Sequence, residues 1–283
     1  MINILVATDL SERSNPAIDR AARLVRGLGG RWALVHIVDN DAPAELTARH
    51  VEHAKTLLKA SAERLGGQIG VEPKIIVTSG DVEPTILEAA QRFSADLLVV
   101  GAHRKSALRD FFLGTTVERV IRSSRLPVLR VARPALRDYV RSLVAIDLSP
   151  VSLDALRTAC RLGVLQGQDF DVVHAAELVP VGAMAEVVPD PRLVDEMLAE
   201  AKRKAQAHLA QIQPSIAEQR LYVREGEPRR VIGDHLQFTD ADLLVVGTHA
   251  RSGVQRLMIG SVASSLLASL DCDILTVPPM VDR

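Results

Sequence analysis

Two sets of residues in this chain have the types and spacing of a phosphate-binding site, and each repeats the other. Gly101 is followed thirteen residues later by Gly114-Thr115, and Gly247 is followed thirteen residues later by Gly260-Ser261. A glycine and a hydroxyl residue at a helix start offer free backbone N–H groups and the positive end of the helix dipole. Glycine also lets the chain approach a ligand without a Cβ. Taken singly, each pair indicates helix capping; the repetition indicates two anion sites suited to phosphate.

An aspartate accompanies each set. Asp9 lies in the segment LVATDLS, and Asp147 lies in the matching segment LVAIDLS. Each follows a short apolar run with the character of a strand buried on both faces. Either aspartate can serve simply as the cap of the next helix. In an open parallel sheet, however, ligands collect at the carboxyl ends of strands, where the strand order reverses.

Apolar runs alternate with segments of helical spacing in both halves, which predicts an α/β fold with parallel strands and helices on both faces. We predict first-half strands at 2–8, 31–38, 74–77, 96–101 and 127–131, and second-half strands at 143–146, 171–175, 219–223, 243–246 and 273–277. We predict first-half helices at 15–28, 45–65, 83–93 and 114–124. The second of these helices is expected to stop at Gly66-Gly67.

The repeat is a whole domain rather than a solenoid unit of 20–50 residues. We predict two domains, 1–134 and 135–283, joined at the short linker Ala132–Ala135 and therefore lying side by side. The second half is longer, and its extra residues are placed in Leu178–Pro191, an apolar stretch with three prolines.

Composition excludes several classes of function. The net charge of −1 and pI of about 6.7 argue against general attraction to nucleic acid or to an anionic membrane. Aromatic residues make up only 3% of the chain, too few for stacking platforms on single strands. Cys160 and Cys272 lie among apolar residues and are expected to be small buried thiols rather than a disulfide. With neither a signal peptide nor a bilayer-spanning run in the sequence, we expect a cytosolic protein.

These residues closely resemble the universal stress protein family, in two tandem copies over nearly the whole chain. The family motif is G-x-x-G-x9-G-[ST], preceded by an apolar strand and by an aspartate after strand one. Histidines at matching positions support the resemblance: His36, His103, His174 and His249. The resemblance implies Rossmann-like, adenine nucleotide alpha-hydrolase-like domains, each with a five-stranded parallel sheet. It also implies a pseudo-twofold pair whose last strands lie edge to edge.

The resemblance also implies two adenine-nucleotide sites, with the ribose near the aspartate, adenine at the end of strand two and phosphates at the glycine loop. In the second half the implied residues are Asp147, Ala175, Gly247, His249, Ala250, Gly260 and Ser261. In the first half they are Asp9, Ile37, Gly101, Arg104, Gly114 and Thr115. Arg104 and Ala250 replace the family's middle glycine. Ala250 is the smaller intrusion, so we expect the second site to bind more readily.

The expected function is a nucleotide-responsive stress and signalling module that binds ATP or another adenine nucleotide, with Mg²⁺ as a companion of ATP. We assign no catalytic residue and no protein-held metal; His50 and His53 are interpreted as a solvated helix face. Further homodimerisation and an unidentified protein partner stay open. One alternative is a nucleotide-independent interaction or small-ligand protein that uses Leu178–Pro191. Another is a slow ATPase, ranked last because no P-loop lysine accompanies the glycines.

Overall fold

The fold was obtained as a computed structural model, which describes residues 1–102, 116–166, 169–176, 190–212, 220–248 and 259–279. The first half contains strands β1 (Ile2–Ala7), β2 (Gly30–Val38), β3 (Lys74–Ser79), β4 (Leu97–Gly101) and β5 (Val128–Val131). Its helices are α1 (Asn15–Leu28), α2 (Ala44–Ile69), α3 (Val82–Phe93) and α4 (Thr116–Ser123). The second half contains strands β6 (Arg141–Ile146), β7 (Asp169–Ala176), β8 (Leu221–Glu225), β9 (Leu243–Gly247) and β10 (Asp273–Val277). Its helices are α5 (Pro150–Leu162), α6 (Pro191–Ala210), α7 (Pro228–Thr239) and α8 (Ser261–Ser269).

The ten strands form one sheet in the order β3-β2-β1-β4-β5-β10-β9-β6-β7-β8. Strands within each half are parallel, and the halves join through the antiparallel pair β5 and β10. Leu129 pairs with Leu275 at the centre of that contact, and the order of the strands is the same on either side. The predicted edge-to-edge contact of the last strands is therefore confirmed, and among the described strands neither half inserts one into the other.

The sheet carries one apolar core on each face. Buried residues of α1, α2, α5 and α6 pack with strand residues on one face. Buried residues of α3, α4, α7 and α8 pack on the opposite face. Because equivalent helices of the two halves lie on the same face, the protein is a continuous three-layer α/β/α structure, as the alternation of strands and helices predicts.

The predicted end of the second helix is wrong. Helix α2 continues through Gly66-Gly67 to Ile69 and ends at Gly70, whose φ of 76° is left-handed. Two helical glycines each cost about 1 kcal/mol relative to alanine, but Ile69 and Val71 pack against the apolar core. This packing of the last turn overrides the local preference of the glycines to end the helix.

Two other expectations need qualification. The strand predicted at 219–223 is β8, Leu221–Glu225, because its parallel ladder with β7 runs on to the pair Ala176 and Glu225. The apolar stretch predicted to end at Pro191 overlaps α6, which begins at that proline, while 178–189 lies outside the described residues. The domain boundary at 134 stays a prediction; β5 ends at Val131 and β6 begins at Arg141.

A buried polar cluster ties the inter-half connection to the sheet. The Asp273 carboxylate accepts hydrogen bonds from Arg20 Nε at 3.2 Å and from Tyr139 Oη at 2.7 Å. Its other oxygen accepts from the backbone N–H groups of Ala132 at 2.9 Å and Arg133 at 3.4 Å. Burial, and then the neighbouring Asp273 charge, raise the pKa of Tyr139 well above its ordinary value, so its hydroxyl keeps the proton it donates.

A second cross-half contact reaches helix α8. One terminal nitrogen of the buried Arg130 guanidinium on β5 donates to Leu270 O at 2.8 Å and to Cys272 O at 3.0 Å. Leu270 is the C-cap residue of α8. A cation at this end is favoured by the helix dipole. Burial lowers the pKa of Arg130 below its ordinary value, an effect that the nearby Cys272 and Asp273 oppose.

Candidate functional site

The two predicted aspartates sit in loops of the same construction. Asp9 Oδ1 accepts from Ser11 N at 2.9 Å and from Ser11 Oγ at 2.6 Å. Asp147 Oδ1 accepts from Ser149 N at 3.0 Å and from Ser149 Oγ at 2.5 Å. Each aspartate thus forms a turn with the serine two residues on, which fixes the direction of its carboxylate.

A second serine in each loop extends the network toward the following helix. Ser14 Oγ donates to Ser11 O at 2.8 Å, and Ser152 Oγ donates to Ser149 O at 3.0 Å. In the second half Ser149 Oγ also accepts from Ser152 N at 3.3 Å and caps α5. The pattern Asp-Leu-Ser-x-x-Ser was present in the repeated sequence, where Ser11–Ser14 indicates a turn and a helix cap, but only the aspartates were predicted as site residues.

The leucine between aspartate and serine has an unusual backbone. Leu10 and Leu148 both have a φ of 62°, in the left-handed region. For a residue with a Cβ this conformation costs roughly 1–2 kcal/mol. Both leucines are partly buried and pack against the same apolar core, which holds them in place. The same strained residue in both halves is the kind of outlier that clusters at ligand-binding loops.

The glycines that end β4 and β9 make room for these loops. A Cβ on Gly101 would lie 3.3 Å from Arg13 O and 3.4 Å from Ser14 Cα. A Cβ on Gly247 would lie 3.1 Å from Val151 O and 3.2 Å from Ser152 Cα. Their missing side chains therefore allow close packing against the aspartate loops. This packing role differs from the phosphate contact expected from sequence, which stays a prediction.

The histidines of β2 and β7 brace the same loops. His36 Nδ1 lies 2.9 Å from Thr8 O, and His174 Nδ1 lies 2.9 Å from Ile146 O. Since a carbonyl only accepts, the ring nitrogen donates in both cases. Thr8 and Ile146 directly precede the two aspartates, so each histidine positions the chain just before the turn.

Asp147 and Gly247 lie at the point where the strand order of the second half reverses. The chain leaves β6 toward β7 on one side, whereas β9 pairs with β6 on the other. Helix α8 leads into β10, which is parallel to β9, so α8 begins at the carboxyl edge of these strands. The aspartate loop and the start of α8 therefore share the edge where open α/β sheets bind ligands.

The start of α8 presents backbone donors. Gly260 is its N-cap residue, with φ −60° and ψ 154° and no side-chain cap. The first bond within the helix runs from Ser264 N to Gly260 O at 2.9 Å, so the N–H groups of Ser261, Val262 and Ala263 point out of the helix end. The backbone of Gly260 is extended, a conformation that any residue adopts, so the helix start does not itself require glycine.

The residues expected beside adenine lie near the ends of the second strands. Ile37 on β2 is buried and Ala175 on β7 is half-buried, and both pack in the core shared by α3, α4, α7 and α8. The remaining predicted site residues lie outside the described residues: Arg104, Gly114, Thr115, His249 and Ala250.

Electrostatics favour an ionised Asp9. Burial raises the pKa of its carboxyl, but hydrogen bonds from the side chain and backbone of Ser11 and from the side chain of Ser14 outweigh that effect. The net result is a pKa below the ordinary value. An ionised carboxylate accepts hydrogen bonds and donates none, so the loop is suited to a ligand with hydroxyl donors.

Comparison with known proteins gives the class that this fold and these repeated loops define. The family model described as the universal stress protein family matches residues 1–132 and again 139–278. The chain therefore belongs to the universal stress protein family, as a tandem member with two copies of the domain. Universal stress protein E of Photorhabdus laumondii is 24% identical over 98% of this chain and 95% of its own. Universal stress protein A homolog 1 of Coxiella burnetii is 30% identical over 49% of this chain and 96% of its own.

Solved structures agree on the fold. A universal stress protein from Archaeoglobus fulgidus superposes with a TM-score of 0.71 at 18% identity, covering 98% of each chain. A protein of unknown function from Pseudomonas aeruginosa superposes with a TM-score of 0.74 at 20% identity, covering 99% of this chain and 93% of its own. Within the described part of the chain, no helix is both long and apolar enough to cross a membrane.

Proposed function

We propose that the protein is a stress and signalling module that responds to an adenine nucleotide by binding it. The observation that carries this proposal is the shared edge of the second half. There the braced Asp147 loop and the N–H groups at the start of α8 lie at one strand switch point. A nucleotide offers a ribose and phosphates, which are the chemical partners of a carboxylate and of a helix N-terminus.

The proposal gives one task each to Asp147, Ala175, Gly260 and Ser261, while Gly247 makes room for the aspartate loop. Asp147 accepts from ribose hydroxyls, Ala175 leaves space for adenine, and Gly260 and Ser261 bind phosphate through backbone N–H groups and a hydroxyl. Mg²⁺ would enter with ATP as its phosphate-bound companion. Asp9, Ile37 and Gly101 are the described residues of the corresponding first site.

The proposed activity is binding rather than turnover, at most with weak hydrolysis of ATP. The bound nucleotide is then the signal, because the same chain with and without ligand offers different surfaces to a partner. A first measurement is direct: the purified protein is denatured, and the supernatant is analysed for nucleotide by chromatography and mass.

Substitution at the two ends of α8 tests the site itself. Gly260→Asp places a negative charge where the phosphates are proposed to bind, whereas Ser269→Asp places the same charge on an exposed residue at the far end of the helix. We expect Gly260→Asp to weaken ATP binding in titration calorimetry by at least about tenfold, the equivalent of ~1.4 kcal/mol. Ser269→Asp should change it little. Equal affinities for the two variants would place the nucleotide elsewhere.

A further inference from the structure

The outer edge of β3 is an open strand with a groove on it. Among the described strands, β3 has a neighbour only in β2, and it forms one end of the sheet. A groove of about 780 Å³ runs along all six of its residues, Lys74–Ser79, between α2 and α3. Edge strands present unpaired N–H and C=O groups, which are a template for another strand.

The backbone pattern shows which residues face outward. Gly80 N, directly after β3, donates to Val38 O on β2 at 3.1 Å. Alternate residues of a parallel strand bond to the same neighbour, so Ile76 and Thr78 also direct their peptide groups toward β2. Ile75, Val77 and Ser79 then direct theirs to the open edge, which gives an incoming strand three residues with which to pair.

Positive charge surrounds this edge. Among the residues that line the groove, Glu88 is the one acid. Four exposed cations line it as well: Lys55, Lys59, Lys74 and Arg92. Arg92 pairs with Glu88 at 3.3 Å, and Lys55 pairs with Glu52 at 2.7 Å. Within the described residues, no ion pair engages Lys59 or Lys74. In a chain of net charge −1, this is a local positive field.

The two walls of the groove differ in chemistry. Lys55 and Lys59 project from α2 on one face of the sheet. On the other face α3 contributes the apolar side chains of Ala89 and Phe93, beside the ion pair between Glu88 and Arg92. Successive side chains of a strand point to opposite faces. A strand added to β3 would therefore direct every second side chain toward the lysines and the others toward Phe93.

We propose that the β3 edge binds an extended acidic segment of a partner protein, in which acidic and apolar residues alternate, as an added strand. A second copy of this chain fits less well, because β3 against β3 would bring two sets of cations together. At the other end of the sheet, a groove of about 490 Å³ between the last two residues of β8 and helix α7 has nearly balanced charges: Arg224, Glu225, Glu227, Arg230 and Asp234. The acidic preference thus belongs to the first half and is independent of the nucleotide sites.

The test uses the full-length protein and a fluorescein-labelled seven-residue probe that alternates acidic residues with valine. Binding is followed by fluorescence anisotropy. Val77→Pro removes one outward N–H without removing a bond to β2, because proline is tolerated on the free side of an edge strand. Val77→Ala keeps that N–H and is the matched control. We expect Val77→Pro to weaken binding about tenfold more than Val77→Ala does.

Two further arms separate charge from backbone pairing. The double variant Lys55→Glu, Lys59→Glu should abolish binding of the acidic probe, and a probe with lysine in place of each acid should not bind the wild-type protein.

Backbone pairing is tested separately. A probe N-methylated at alternate residues should not bind the wild-type protein, which tests pairing even if Val77→Pro does not fold. Binding of the lysine probe as tight as that of the acidic one, or of the methylated probe as tight as the parent, would overturn the proposal. If the wild-type protein is a dimer and Val77→Pro makes it a monomer, the β3 edge binds a second copy of the chain, and the proposal is overturned.

Discussion

The cluster around Asp273 makes the sharpest prediction about stability. Asp273 is 1% exposed, and its carboxylate accepts four hydrogen bonds, two on each oxygen. Asp273→Asn keeps the shape but places an NH₂ group against two donors, whichever way the amide is turned. It also leaves the Arg20 guanidinium, with a side chain only 6% exposed, without its charged partner. Breaking a buried ion pair by removing one member costs about 3–5 kcal/mol.

Thermal unfolding gives the readout. At roughly 2–4 °C per kcal/mol for domains of 150–250 residues, the expected fall in Tm is on the order of 10 °C. Asp271→Asn is the matched control, since Asp271 is two residues away, 82% exposed, and 3.8 Å from Arg133 Nε. An exposed pair of this kind contributes about 0–1 kcal/mol. The control should therefore shift Tm by no more than a few degrees.

A double variant tests the cause. Arg20→Met in the Asp273→Asn background removes the unpaired guanidinium, so the double variant should be more stable than Asp273→Asn alone. If Asp273→Asn lowers Tm no more than Asp271→Asn, or if Arg20→Met only adds to the loss, the buried pair is not what holds the connection to the sheet.

Three further predictions concern the ligand loops and the thiols. In urea unfolding, Gly247→Ala should destabilise the protein by about 1 kcal/mol or more, because its Cβ would meet Val151 O at 3.1 Å. The control Gly233→Ala on α7, with no atom within 4 Å of its Cβ, should instead stabilise the protein. Arg104→Gly should raise nucleotide affinity about tenfold in calorimetry if the arginine fills the first pocket, and a fall would make its guanidinium a ligand contact. Burial raises the pKa of the buried Cys272 to about 11, and it also raises the pKa of Cys160, whose side chain is only half-buried. A thiol reagent at pH 8 should therefore react with Cys160 before Cys272, as measured by the masses of the labelled peptides. Faster labelling of Cys272 would contradict this order.

The strands were accessible from sequence because parallel strands buried on both faces consist of short apolar runs. Their order in the sheet was not predicted, apart from the contact between the last strands that the family resemblance implies. Local signals failed where packing decided the outcome, as at Gly66-Gly67, where Ile69 carries the helix onward into the core. The buried polar cluster gave no signal in sequence, because Arg20 and Asp273 are 253 residues apart along the chain.

The candidate site was predictable in its residue types and less so in their roles. Asp9 and Asp147 do follow β1 and β6, in loops that share the same turn between aspartate and serine. The roles of Gly101 and Gly247 were not accessible, because a sequence does not show which backbone lies 3 Å or so from a missing Cβ. The left-handed leucines Leu10 and Leu148 were equally hidden, since leucine has no preference for that conformation.

The antiparallel contact of β5 with β10 also determines whether the two halves can exchange partners with other molecules. In a homodimer closed through such an edge, either subunit can leave and be replaced, and every interface residue occurs twice. Here the covalent connection supplies the partner edge at an effective concentration on the order of millimolar, so mixed dimers through this edge are disfavoured. The bond between Arg20 and Asp273 occurs once, because the equivalent positions in the other half hold Thr158 and Pro127. Fusion thus lets the two halves diverge while their ratio stays fixed at one to one.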